Sequence, residues 1–299
     1  MDYRKVQLFL EAARLGNLTE AAHALDISQP ALSKSIKALE KSLGVVLLDR
    51  GRFGVSLTPF GQALMQHGQV IEAEMRNAVG EIQAMKGAHR GHAMIGCGPT
   101  EATRLLPLAL KELSQTHPDI RVTVLYGLNE ALMPWVKQGQ VDFALSSVPS
   151  RATDAELIHE HLLTESACVV ARADHPLTRL KNVAPNALLK FPWILPRQNE
   201  LERLAFDDYF LSHDLEPPIA QVETTSTELM KALVMQSDTL AFVPKELVYW
   251  EIQAGQLRAL ETTGNPWERR VGATRRRKGT LSPASKWMLQ AVKAVAQKF

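Results

Sequence analysis

A chain of 299 residues is long enough for about two domains. Its composition, 45% hydrophobic and 22% charged, is that of an ordinary globular protein, and a net charge of +2 excludes a generic polyanion binder, so any nucleic-acid surface must be local. Two cysteines, Cys97 and Cys168, lie far apart and in no metal-ligand spacing; they fit a reducing compartment without a disulfide framework. Met1-Asp2-Tyr3-Arg4-Lys5 is not an apolar signal segment, and no apolar run approaches about 18 residues. A cytoplasmic protein without a membrane span is expected.

Val6, Phe9, Leu10 and Ala13 mark a first amphipathic helix that closes near Gly16. Thr19 is a candidate cap for a short second helix, Glu20 to Leu25, with Ala21 and Ala22 small enough for close packing. Asp26-Ile27 reads as a tight turn. Ser28 then caps a third helix and Pro30 fits its first turn, where a missing N–H costs little. Leu32, Ile36, Leu39 and Leu43 give this helix an apolar back, and Ser33, Lys34, Lys37 and Lys41 give it a polar front. Two short helices joined by a tight turn, the second with a lysine-bearing front, describe a helix-turn-helix suited to the DNA major groove. A strand at Val45–Leu48, a turn at Asp49–Gly54 and a returning strand at Val55–Leu57 form a wing carrying Arg50 and Arg52.

Leu18-Thr19-Glu20-Ala21-Ala22 and Ser28-Gln29-Pro30-Ala31-Leu32-Ser33 are followed by Ile36, Leu39-Glu40, Leu43-Gly44, Leu47-Leu48-Asp49-Arg50 and Leu57-Thr58-Pro59-Phe60-Gly61. Over about 60 residues without a gap this resembles the winged helix-turn-helix of LysR-type transcriptional regulators. Leu48, where the family often has Phe, and Ser35 are minor departures. Position by position, the resemblance places Gln29, Pro30, Ala31, Ser33 and Lys34 against bases or the groove wall. Gln29 has the amide to read adenine, and Pro30 or Ala31 can touch a thymine methyl. Thr19, Lys37, Arg50, Arg52 and Thr58 are the phosphate candidates. Arg50 has a second use open to it, an ion pair with Glu40 or Asp49.

Thr58 and Pro59 open a further helix on which Leu64, Gly68, Ile71, Met75, Ala78, Ile82 and Met85 recur in steps of four and three. That heptad seam, on a helix of roughly 40 Å, suits pairing with a second copy, with packing against its own chain as the alternative. In the resembled family this segment is the dimerising linker helix. Gly68 departs from the usual apolar knob. Gly87 to Gly91 reads as a hinge. A homodimer or homotetramer would present paired reading helices to an interrupted inverted repeat of double-stranded DNA.

From residue 91 the pattern alternates between strands and helices: strands at His92–Gly98, Ile120–Gly127 and Val141–Ser146, helices at Glu101–His117 and Asn129–Gln138. A second unit has strands at Ser166–Ala171, Trp193–Leu195, Ala220–Glu223 and Thr239–Val243, with helices at Glu200–His213 and Ser226–Gln236. Arg269–Thr274 and a helix from Pro283 to Lys298 finish the chain. The fold class is therefore α/β: a DNA-binding domain (1–58), a linker helix and hinge (59–90) and an effector domain (91–299). The resemblance implies two periplasmic-binding-protein-like lobes, about 91–160 plus 268–299 and about 161–267, with a ligand cleft between them.

Ligands of open parallel sheets bind beyond the carboxyl ends of the strands. This nominates Pro99, Thr100, Asn129, Ser146, Ser147, Arg197, Gln198, Thr225 and Ser226. Helix N-termini there favour an anionic group, so a small organic acid is the expected effector, with Arg197 as its charge partner. Capping alone accounts equally for Thr100 and Ser226. His159-x-His161 offers two imidazoles with no third ligand. Gly96-Cys97-Gly98 lacks the third glycine of a dinucleotide turn, Glu101 standing in its place. Arg275-Arg276-Arg277-Lys278 reads as a solvated loop. No metal or other cofactor is called for. The resemblance implies control of target promoters, activation with autorepression, and RNA polymerase as a further partner. The rival readings are a two-lobed α/β enzyme and a ligand-independent architectural DNA binder.

Overall fold

A computed structural model describes residues 2–52, 54–86, 90–149, 151, 154–198, 200–264 and 267–299. Helix α1 (Tyr3–Leu15) is capped by Asp2, whose carboxylate accepts from Arg4 N at 3.0 Å. Helix α2 (Leu18–Ala24) is capped by Asn17, which accepts from the N–H groups of Thr19 and Glu20. The expected cap, Thr19, is thus inside the helix, because the extended Asn17 two residues earlier reaches both orphan donors. Asp26 makes the turn at φ 52°. Helix α3 (Gln29–Leu43) starts with Ser28 Oγ accepting from Ala31 N and ends at Gly44 in the left-handed region. Leu32, Ile36 and Leu39 are fully buried with Phe9, Leu10 and Ala21 in one small core. Leu43, expected on the same face, is 40% exposed because the chain turns away at Gly44.

The wing strands are β1 (Leu48–Gly51) and β2 (Gly54–Leu57), antiparallel with Arg50 opposite Val55. The strand expected from Val45 begins later, since Glu40 Oε1 takes the N–H groups of Leu47 (2.8 Å) and Leu48 (3.3 Å) that a strand would offer. Val55 N donates to Gly16 O at 2.8 Å, docking the wing on the end of α1. A Cβ at Gly54 would stand 2.2 Å from that carbonyl, so only glycine permits the approach.

Helix α4 (Pro59–Met85) has two kinds of surface. Its start belongs to the reading head: Leu64 packs on that core, and a Cβ at Gly68 would lie 2.9 Å from Leu10. Further along, Asn77 donates to Thr280 O (2.7 Å), Arg76 to Gly139 O (3.1 Å), and Glu74 pairs with Arg276 (3.2 Å). The expected seam therefore divides. Leu64 and Gly68 pack against their own chain, whereas Ile71, Met75, Ala78, Ile82 and Met85 form an exposed stripe joined by Val79.

The remainder is a two-lobed α/β unit. In chain order come β3 (Gly91–Cys97), α5 (Pro99–Thr103), α6 (Leu105–Thr116), β4 (Ile120–Tyr126), α7 (Asn129–Lys137), β5 (Phe143–Ser147) and β6 (Leu157–Arg172). A 3-10 turn (Pro176–Arg179), α8 (Pro185–Leu188), β7 (Trp193–Leu195), α9 (Leu201–Leu211), β8 (Val222–Glu223), α10 (Thr227–Gln236) and β9 (Leu240–Pro244) follow. Then come a 3-10 turn (Lys245–Val248), α11 (Tyr249–Gln253), β10 (Leu257–Ala259), β11 (Glu268–Arg276) and α12 (Pro283–Ala296). The strand order is β4-β3-β5-β11-β6-β9-β7-β8, with β10 also on β6. β3 is parallel to β4 and β5, and β7 is parallel to β8 and β9.

The 16-residue β6 joins the lobes: Leu157–Ser166 pairs with β11 and Ala167–Val170 with β9. Its polar first half, with His159, Glu160 and His161, hid it from a hydrophobicity reading that expected only Ser166–Ala171. The first lobe buries Ile95, Leu106, Phe143, Met288 and Val292 under α6 and α12. The second buries Trp193, Phe206 and Phe210 on one face and Met230, Val234 and Leu247 on the other. The single helix expected over 101–117 breaks at Arg104, whose guanidinium crosses to the second lobe: it bonds Glu246 at 2.8 Å and lies 4.0 Å over the Tyr249 ring. No helix among the described residues is long and apolar enough to cross a membrane.

Candidate DNA interface and ligand cavity

The apolar back of α3 fixes what its front shows. With Leu32, Ile36 and Leu39 turned inward, Pro30, Ala31, Lys34 and Lys37 are exposed and Gln29 and Ser33 half-exposed. Gln29 Nε2 donates to Ser33 Oγ at 3.1 Å, one turn along, so two of the expected base readers are held side by side. Thr19 is exposed on α2, and Arg50 and Arg52 are exposed on the wing. Glu40 is committed to the wing backbone, and among the described residues Arg50 has no acidic partner. Thr58 does not join this surface. It is buried, its hydroxyl donating to Val46 O (2.7 Å) and accepting from Gly61 N (3.0 Å), which makes it the cap of α4 rather than a phosphate contact.

Between the lobes lies a cavity of about 260 Å³, lined by residues from Gly98 to Arg269. It lies where the ends of β3, β4, β5, β7, β8 and β9 converge, as the strand-end rule requires. Pro99, Thr100, Asn129, Ser146, Ser147 and Thr225 line it. Arg197 and Gln198 are exposed and outside the lining. Ser226 is turned to capping: its Oγ accepts from Leu229 N at 3.2 Å and contacts Glu228.

The charge in the cavity comes from residues that sequence reasoning passed over. Arg269, at the start of β11, is buried and bonds Glu101 of the first lobe (2.8 Å) and Glu165 of β6 (2.9 Å), with Glu202 of the second lobe 3.6 Å away. Glu101 is fully buried at the N-terminus of α5, its carboxylate over Gly98 and bonded to its own N–H. It fills, from within the chain, the place an incoming anion would take. Burial raises the Glu101 carboxyl, opposed by Arg269. Burial likewise lifts Glu165, to about 7, with Arg269 pulling it down and Glu101 pushing it up. No sequence spacing could announce a cluster spread over residues 101, 165, 202 and 269.

Other expectations resolve on partners. His159 bonds Thr274 (2.8 Å) and His161 bonds Thr164 (3.1 Å), and among the described residues no group of three metal-binding side chains forms. The basic run is not a solvated loop. Arg276 reaches Val136 O and Glu74, and Arg277 donates to Ala155 O (2.7 Å) and Leu157 O (3.1 Å), because the run ends a strand packed beside α4 and α7. Burial pushes the Cys97 thiol up and lifts Cys168 to about 12, so both stay protonated near neutrality.

A capped recognition helix with a docked wing, a long helix and a two-lobed domain closed around a cavity define a ligand-responsive DNA-binding transcriptional regulator. Comparison with known proteins gives the same class. Residues 3–62 match the bacterial regulatory helix-turn-helix proteins of the lysR family, and residues 86–297 match the LysR substrate binding domain. The chain belongs to the LysR family of transcriptional regulators, which are not enzymes. It is 31% identical, over 96% of its length and 94% of the relative's, to an SDS degradation transcriptional activation protein of a Pseudomonas species. It is 30% identical, over 83% of its length and 72% of the relative's, to the HTH-type transcriptional regulator GbpR of Azospirillum brasilense. The crystal structure of full-length CbnR complexed with its target DNA shares the fold, with a TM-score of 0.70, 22% identity and coverage of 99% of this chain and 100% of that one.

Proposed function

We propose that this regulator works as a dimer or tetramer whose paired reading heads, residues 1–58, hold an interrupted inverted repeat, and that a small molecule between the lobes of residues 91–299 changes their spacing. The observation that carries the reading is the division of labour along α4. One end is built into the core of the reading head, its middle is bonded to the first lobe through Asn77, Arg76 and Glu74, and its apolar stripe from Ile71 to Met85 is uncovered. A shift of the lobe therefore moves a rigid rod that carries the reading head. Pairing of the stripe with a second copy doubles the head and covers the apolar surface.

Gln29, Pro30, Ala31, Ser33 and Lys34 read bases in this scheme, while Thr19, Lys37, Arg50 and Arg52 hold phosphates. Activation of a target promoter with contact to RNA polymerase, and repression of its own gene, complete the reading, which places the protein with the chromosome in the cytoplasm. The earlier expectation of an organic acid rested on Arg197 and on free helix N-termini. Arg197 lies outside the cavity and the N-terminus of α5 already holds Glu101, so an organic acid would be received by the starts of α7 and α10, which meet the cavity at Asn129 and Thr227. The test is a footprint of the full chain on the DNA upstream of its own gene, with and without cell metabolite fractions. A protected length that changes with a fraction supports the scheme; a fixed length in every fraction overturns it.

A further inference from the structure

Besides the Arg269 cluster, a second bridge joins the lobes just beyond Glu101. Outside helical geometry at φ −138°, Arg104 ends α5 and turns its guanidinium toward the second lobe. There it bonds Glu246 at 2.8 Å and lies 4.0 Å from the centroid of the Tyr249 ring. It also lies 4.3 Å from the centroid of the Phe299 ring, which follows α12 of the first lobe. A planar guanidinium suits this place, because it stacks on aromatic faces while its N–H groups stay free for a carboxylate. Arg104 and Glu246 are half-buried, which limits screening of the pair by salt. Trp250 Nε1 donates to Thr103 O at 3.0 Å, so the second lobe also holds the end of α5 by its backbone.

Both sides of this bridge are also walls of the cavity. Pro99, Thr100 and Glu101 line it from the start of α5, and Thr103 and Arg104 stand at the end of the same short helix. On the second lobe Pro244 and Leu247 line it, with Glu246 between them and Tyr249 and Trp250 directly after. Separating these walls therefore parts Arg104 from Glu246 and Trp250 from Thr103. The strands that cross between the lobes meet elsewhere, where Ala167 N donates to Trp267 O at 2.8 Å. The Trp267 ring packs on Phe242 of the cavity wall, with centroids 6.3 Å apart.

We propose that Arg104, Glu246, Tyr249 and Trp250 form a clasp that sets how far the cleft opens, with Phe299 holding Arg104 in place. While it is fastened, the lobes keep the separation that leaves the cavity between them. When it is released, the second lobe turns about the crossing strands at Ala167 and Trp267 and the cleft widens. Arg104 is thus a positioning residue: it acts on the cavity through α5 and the turn after β9. The effect of the clasp on DNA rests on the proposal that lobe movement carries α4; its effect on the cleft does not.

The experiment is fluorine NMR of the full chain labelled with 5-fluorotryptophan, in which single replacements by Phe assign the signals of Trp193, Trp250 and Trp267. Arg104→Met removes the whole clasp, and Glu246→Gln removes its ion pair but keeps the aromatic stack. Each variant should shift or broaden Trp250 at the clasp and Trp267 at the crossing strands by more than a linewidth. Trp193, in the core of the second lobe, should keep its signal. A change at Trp250 alone makes these contacts a local surface feature and overturns the proposal, as does no change at either probe. Loss of the Trp193 signal in both variants also overturns it, because the bridge then maintains the fold of the lobe rather than its position. A footprint of Arg104→Met without any metabolite fraction reads the step to DNA separately. A protected length different from that of the parent ties the clasp to the reading heads. An unchanged length with Trp267 shifted supports the clasp and overturns the proposed movement of α4.

Discussion

Replacing Arg269 by Met tests the idea that the chain neutralises its own cavity cation. In the native protein Arg269 is 8% exposed, and its partners Glu101 and Glu165 are 1% and 5% exposed. Removing it strands two buried carboxylates, and breaking a buried pair in this way costs about 3–5 kcal/mol. For a unit of roughly 200 residues, each kcal/mol lowers the melting temperature by about 2–4 °C, so a fall of about 6–20 °C is expected. The pH dependence has a definite sign. Glu165 is raised to about 7 in the folded protein, so its contribution to stability is full below its unfolded value and is lost as pH rises through about 7. Without Arg269 that carboxyl rises further, so the deficit of the variant should be larger at pH 8 than at pH 5. The assay is thermal unfolding of the full chain by circular dichroism at the two pH values. Adding Glu101→Gln and Glu165→Gln to the Arg269→Met chain should restore part of the loss, because no stranded charge remains. A single variant as stable as the parent at pH 8 would refute the reasoning.

Lys37→Ala should weaken binding to all DNA sequences about equally and flatten the salt dependence by about one counterion, measured by fluorescence anisotropy across a salt series. Gln29→Ala should instead lose about 1–3 kcal/mol of discrimination at one base pair, read by competition between operator variants. Glu40→Ala leaves the N–H groups of Leu47 and Leu48 without their acceptor and should cost about 1–3 kcal/mol of reading-head stability, seen in chemical denaturation. Met75→Glu with Ile82→Glu puts charge on the exposed stripe of α4 and should give monomers in sedimentation velocity; an unchanged assembly would move the dimer contact elsewhere.

The parts of this fold that were legible are those whose causes are local. Ser28, Pro30 and the spacing of Leu32, Ile36 and Leu39 specify α3 within a dozen residues, and the structure repeats them. Trp193–Leu195 and the Ser226 cap of α10 were read for the same reason. Misreadings fall where the cause is distant. Nothing near Arg104 announces a helix break, because its partners Glu246 and Tyr249 lie about 140 residues away. The heptad spacing of α4 is the same whether its knobs meet a second copy or Leu10 of the same chain, so Leu64 and Gly68 could not be told from Met75 and Ile82. In the cavity the strand-end rule found the hydroxyls and Asn129. It names Arg197 for the charge because that residue stands at a strand end, whereas Arg269 reaches the site from the first residues of a strand paired with β5 and β6.

The central claim is that α4 holds two copies of the α3 reading head on one stretch of DNA. Selection of bound sequences from a random duplex pool by the purified full chain tests it most directly. The account predicts enrichment of an inverted repeat whose half-sites are separated by whole helical turns, about 10.5 base pairs each. Enrichment of a single asymmetric half-site, with no partner at any spacing, would contradict it.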